Sequence, residues 1–244
     1  FKQKTAYEIR LSLVGSEMCI RDRYEPLEPL LRAEDEEVRI RGLSQMCRAA
    51  DRLASHSGLA GFEAASEMAG ALAALLRELV EGPSEISAST LRTIVDTCDS
   101  LRESPRFTEE SANQPAAPPV VLVVDDDPIA RRAICLALAR INVAAISVDG
   151  PVAALGLLAE NKFGLIFLDV QMPDMNGFDL CRQLRTIHPN ESTPVVFVTT
   201  LSEYESRERA AQVGGNDLIA KPFLPIELAV KALSLLRPAA DPSA

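Results

Sequence analysis

Four short apolar runs in the second half of the chain each stop on a polar residue, and this repeated pattern limits the fold more than any other feature. VLVV leads into Asp125 and Asp126, LIFL into Asp169, VVFV into Thr199, and DLIA into Lys221. Continuous apolar runs of this length mark strands buried on both faces, which belong to parallel sheets. The spacing predicts strands at Val120–Val124, Val143–Val148, Leu165–Leu168, Val195–Val198 and Asp217–Ala220. Helical patterns fall between them at Pro128–Ile141, Pro151–Glu160, Gly177–Ile187, Ser202–Val213 and Pro225–Leu236. Strands alternating with helices in this way predict an α/β domain over residues 120–237, a doubly wound five-stranded parallel sheet.

In a flavodoxin-like strand order, the carboxyl ends of the first and third strands flank a crevice. Asp125, Asp126 and Asp169 would meet there, with Thr199 and Lys221 nearby. Carboxylates crowded together repel, and a bound Mg²⁺ relieves the repulsion through oxygen ligands. Asp126 and Asp169 are the expected direct ligands, with the backbone carbonyl of Gln171 as a third and Asp125 acting through water. Asp169 can attack phosphorus, since carboxylate nucleophiles form aspartyl phosphates. Mg²⁺ and the Lys221 ammonium would neutralise the transferring phosphoryl oxygens, and the Thr199 hydroxyl would donate to the attached group.

The stretches VLVVDDDP, FLDVQMPDMNGF, VVFVTT and GGNDLIAKPF, in this order and spacing, resemble the receiver domain of two-component response regulators. The resemblance spans Val120–Leu236. It implies that Asp169 is the phosphoacceptor, Asp125 and Asp126 the acidic pair, Thr199 the switch hydroxyl and Lys221 the phosphate-sensing lysine. It also implies a cis Lys221–Pro222 peptide and a histidine kinase or phosphotransfer protein as donor. Two positions depart from the family pattern. Leu218 stands where many receivers carry a Tyr or Phe that moves with the switch hydroxyl, and Thr200 stands where a smaller Ala is common. Asp127 and Asp174 read as solvated loop acids, His188 as a loop residue, and Cys135 and Cys181 as packing residues on helices.

Residues 24–104 carry a different pattern. Apolar residues recur at helical spacing over Glu34–Ala54, Phe62–Val80 and Leu91–Leu101, with a short further helix expected around Pro26–Arg32. Gly58 and Gly61 are expected to interrupt or tighten the first repeat. The prediction is an all-α helical bundle. ADRLASHSGLAGF resembles the histidine-phosphotransfer (HPt) pattern, and in that alignment Asp51 occupies the place of the phosphorylated histidine. Ser55 falls one turn later. At about 100° per residue, His56 points to a different side from Asp51 and cannot replace the missing histidine. The resemblance therefore implies a degenerate HPt-like domain, inactive as a donor and retained as a docking surface, with homodimerisation open to it.

The Pro/Ser/Ala-rich residues 105–119 suit an extended linker, and residues 238–244 form a tail. Residues 1–23 resemble translated sequencing-adapter ends and are expected to be foreign to the protein, the native N-terminus then lying upstream. A net charge of −10 without a basic block gives no signal for nucleic acid. Five scattered cysteines without metal-ligand spacing suit a reducing, cytoplasmic setting, and no apolar run has membrane-spanning length. The leading reading is a phosphorelay receiver with Mg²⁺ as cofactor. It is a self-catalysed phosphoacceptor rather than a conventional enzyme, with an unknown output partner reached by protein contact. The alternatives are a Mg²⁺-dependent aspartyl-phosphate phosphatase and an unphosphorylated scaffold. The phosphatase is disfavoured because Asp169–Val170–Gln171 lacks the second acid of a DxD nucleophile motif, and the scaffold because the acidic, Thr and Lys set is complete.

Overall fold

The computed structural model describes residues 35–59, 62–82, 86–102, 119–200 and 203–236. The chain divides into two compact units between residues 114 and 115. The expected short helix at 26–32, the adapter-like segment, nearly all of the linker and the tail lie outside the described residues.

In the first unit, helices α1 (Glu36–Leu59), α2 (Glu63–Glu81) and α3 (Ala88–Arg102) follow in order. Leu43, Met46, Ala50 and Leu53 of α1 and Met68, Leu72, Leu75 and Leu76 of α2 are buried at the spacing that faces one side of a helix. Of the two expectations for Gly58, interruption or tightening, α1 shows no interruption, and Gly61 lies outside the described residues. The helix continues to Leu59, and a Cβ at Gly58 would come within 3.1 Å of Ser66 Oγ on α2. Glycine here permits close helix packing rather than a break. The hydroxyl of Ser87 accepts from the Thr90 N–H at 3.0 Å and so caps α3.

The second unit contains β1 (Val121–Val124), α4 (Pro128–Arg140), β2 (Ala145–Val148), α5 (Pro151–Glu160), β3 (Leu165–Asp169), α6 (Gly177–Leu184), β4 (Val195–Thr199), α7 (Glu203–Gln212), β5 (Asp217–Ala220) and α8 (Pro225–Leu235). The strands are all parallel, in the order β2-β1-β3-β4-β5. This is the flavodoxin-like doubly wound sheet read from the sequence. Element ends differ by a few residues. The largest difference is in α6, which stops at Leu184 rather than Ile187 because the chain turns there around the Arg185 side chain. Strand residues alternate between two cores. Leu122 and Val124 pack with Ala154, Leu158, Phe178 and Leu184 on one face. Val121 and Val123 pack with Ile134, Leu138 and Leu228 on the other. The central strands β1, β3 and β4 are thus sandwiched, which is why their sequences are apolar up to their ends, whereas the edge strand β2 is only partly buried and carries Ser147.

Polar residues tie the loops at the edge of the sheet away from the acids. Arg185 donates to the carbonyls of Gly214, Glu191 and Thr193. Buried Asn190 donates to Leu158 O at 2.8 Å and Asn161 O at 2.6 Å, and accepts from Phe163 N at 3.0 Å and Thr193 Oγ1 at 3.0 Å. All its hydrogen-bonding capacity is used, as burial demands. None of the described helices is long and apolar enough to cross a membrane.

Candidate metal and phosphoryl site

β1 and β3 are hydrogen-bonded neighbours, with Val124 opposite Leu168, so the residues that follow them emerge side by side. Asp125, Asp126 and Asp169 consequently bring carboxylate oxygens within 4.8 Å of one another. Asp125 and Asp169 are buried and Asp126 is exposed. Asp127 is exposed, as read, and has a structural task besides: it accepts from the Ile129 N–H at 2.9 Å and caps α4, with Pro128 in the first turn.

Lys221 follows β5 and enters the same crevice. Its ammonium donates to Asp125 Oδ2 at 2.8 Å and lies 3.3 Å from Asp169 Oδ2. Its backbone N–H donates to Thr199 O at 2.8 Å, fixing the loop to β4. Lys221–Pro222 is cis, as the resemblance implied, and so is His188–Pro189, which the sequence did not reveal. The other Asp125 oxygen accepts from the Asp127 N–H at 2.9 Å, and Asp169 Oδ1 accepts from the Val170 N–H at 2.8 Å.

Burial pushes the Asp169 carboxyl above its usual range, against the pull of Lys221 and with the help of the neighbouring Asp125 charge. Burial would lower Lys221, but its hydrogen bond to Asp125 and the charges of both carboxylates outweigh this and hold it above the ordinary lysine value. One ammonium faces three acids. This surplus of clustered carboxylate oxygens fits a hard divalent cation.

Thr199, at the end of β4, is fully buried, while Thr200 is exposed. The Thr200 hydroxyl donates to Gln171 Oε1, bridging the loops after β4 and β3. Sequence reasoning placed both residues near the site but could not pair them, since they lie 29 positions apart. Leu218 is buried in β5 opposite Phe197. Phe197 packs on Phe178 with ring centroids 4.9 Å apart, and the Arg209 guanidinium lies 4.9 Å from the Phe178 ring centre. Gly177 opens α6 hard against the end of β3: its N–H donates to Val170 O at 2.9 Å, and a Cβ there would stand 2.1 Å from Asp169 O.

In the helical unit, Asp51 is exposed on α1 and its carboxylate is held by Arg77 of α2, at 3.1 Å and 3.2 Å. Ser55 and His56 are exposed, and Ser55 Oγ donates to Asp51 O at 2.9 Å. The helical region is present, and an ion pair stands where the aligned family carries its histidine.

Residues 121–233 match the family described as the response regulator receiver domain. The transcriptional regulatory protein ResD of Bacillus subtilis (strain 168) is 34% identical over 123 residues, covering 50% of this chain and 50% of that protein. The transcriptional regulatory protein CreB of Escherichia coli (strain K12) is 44% identical over 73 residues, 30% of this chain and 31% of that one. The chain thus spans at most about half the length of these curated relatives. The structure of the Vibrio cholerae chemotaxis protein CheY4 is 27% identical, with a TM-score of 0.47, covering 49% of this chain and 99% of that one.

Proposed function

Because residues 121–233 form a response regulator receiver domain of a two-component system, we propose that Asp169 accepts a phosphoryl group from a phosphohistidine on a kinase or phosphotransfer protein. A carboxylate oxygen of Asp169 forms the new bond to phosphorus as the P–N bond breaks, and the donor imidazole leaves with the bonding electron pair. Asp126, Asp169 and the Gln171 carbonyl would hold Mg²⁺, with Asp125 acting through water. The bound ion supplies positive charge to the transferring oxygens. Lys221, between Asp125 and Asp169, adds charge on the same side and follows the phosphoryl group once it is attached. Thr199 donates its hydroxyl to that group. The added charge then biases the loop after β4 and the α7–β5–α8 face, which carries the signal to a protein partner in the cytoplasm. The domain acts as a phosphoacceptor that catalyses its own modification.

The observation that supports this most is the convergence of three carboxylates within 4.8 Å with one lysine bonded across them. Incubation with acetyl phosphate and Mg²⁺ tests it. The expected product is one base-labile phosphoryl label per chain, absent from Asp169→Asn. An unlabelled native chain would sink the proposal, and steady turnover of ordinary phosphomonoesters would favour the phosphatase. Relatives named as transcriptional regulatory proteins weigh against an output free of nucleic acid, whereas the receiver match supports the phosphodonor contact.

A further inference from the structure

We infer that Arg131 is a positioning residue for the cation, aiming Asp126 by holding the peptide group that carries it; this rests on the Mg²⁺ reading above. The two buried acids are each fixed directly. Asp125 accepts from Asp127 N and Lys221 Nζ, and Asp169 accepts from Val170 N. Asp126 is exposed, so the direction of its carboxylate depends on the backbone beneath it. The Asp125 carbonyl and the Asp126 N–H share one rigid plane. Arg131 Nη1 donates to that carbonyl at 2.6 Å. The arginine is itself anchored, because its backbone N–H donates to Asp127 O at 3.0 Å in the first turn of α4. Its side chain therefore reaches back over the loop and pins the peptide plane from which Asp126 projects.

The competing role is that of a bystander charge, and the two roles predict opposite signs. A guanidinium this close to the acids repels a divalent cation, so removing a bystander would tighten Mg²⁺ binding. Removing an aiming group weakens it, by about tenfold if Arg131 behaves as residues behind metal ligands generally do.

The test is isothermal titration of the full chain with MgCl₂ for the native protein, R131M, R131Q, R131K and R132M, with thermal unfolding in the absence of Mg²⁺ to verify folding. Arg132 lies on the same helix, is exposed, and serves as the control for charge alone. Weaker binding by R131M and R131Q, with R131K closer to native and R132M unchanged or tighter, is the expected result. If R131M does not fold, R131Q gives the same comparison. Equal or tighter binding by the neutral variants overturns the inference while leaving the Mg²⁺ reading intact. A native chain that takes up no Mg²⁺ overturns both.

Discussion

Lys221 donates to Asp125 at 2.8 Å, so an ammonium from beyond the last strand neutralises a carboxylate that ends the first. The Asp125 side chain is 1% exposed and that of Lys221 14%. Removing one member of a buried pair leaves an uncompensated charge, which costs about 3–5 kcal/mol. Lys221→Met should lower metal-free stability by at least about 3 kcal/mol, with part of the loss recovered on adding Mg²⁺. Urea unfolding with and without the ion checks this. Because Lys221 is held above its ordinary value, its contribution is complete below the unfolded lysine pKa, about 10.4, and vanishes as pH rises through the folded one. Native and variant stabilities should therefore converge at strongly alkaline pH.

Asp169 carries the opposite burden. Its carboxyl is raised, mainly by burial, so folding is penalised once pH climbs above the unfolded carboxylate value, and fully so above the folded one. Asp169→Asn should make the metal-free chain more stable than native at neutral pH, and the gap should close as pH falls below about 4. Saturating Mg²⁺ should narrow or reverse the neutral-pH gap, because native carboxylates then gain a ligand the variant binds less well. Melting curves across pH, with and without Mg²⁺, would expose any other pattern.

The Thr200–Gln171 hydrogen bond spans the loops beside Asp169, which is itself 5% exposed. Thr200→Ala removes the bridge and a methyl group from the mouth of the site. Labelling by acetyl phosphate should become severalfold faster, with little change in thermal stability, since an exposed hydrogen bond contributes on the order of 1 kcal/mol or less. An unchanged labelling rate would mean that the bridge does not limit access.

Asn190 concerns stability alone. Replacing it with alanine strands the Phe163 N–H and the Leu158 carbonyl in a buried setting and the Asn161 carbonyl in a partly buried one. A loss of at least about 2 kcal/mol is expected, given the cost of unsatisfied buried groups. The denaturant midpoint should fall without a change in slope.

The sheet and its acids were legible because their causes are local. Strands buried on both faces must be apolar throughout, and their ends are announced by Asp125, Asp169, Thr199 and Lys221. Long-range polar pairing leaves no such trace. Thr200 on Gln171, 29 positions apart, and Asp51 on Arg77, 26 apart, depend on backbone placement that no spacing rule encodes. α6 ends before its helical pattern does, where Arg185 turns its side chain onto the carbonyls of Glu191, Thr193 and Gly214. The cap at Asp127 is a local signal of another kind. An Asp directly before Pro at a helix start is a capping signal, and it was visible.

The contact between Gly177 and Asp169 bears on how the sequence can drift. A Cβ at 177 would lie 2.1 Å from the Asp169 carbonyl oxygen, a distance no side chain tolerates. The neighbouring Asn176 accepts from the Asp179 N–H at 3.0 Å and donates to the Asp179 carboxylate, a capping role that another capping residue could take. A library randomised across this loop should therefore yield folded members with many residues at 176 and a single one at 177. Position 177 lies outside the acidic cluster, yet any side chain added there displaces the strand end that carries Asp169. Variation compatible with an intact acidic site is confined to the residues around it.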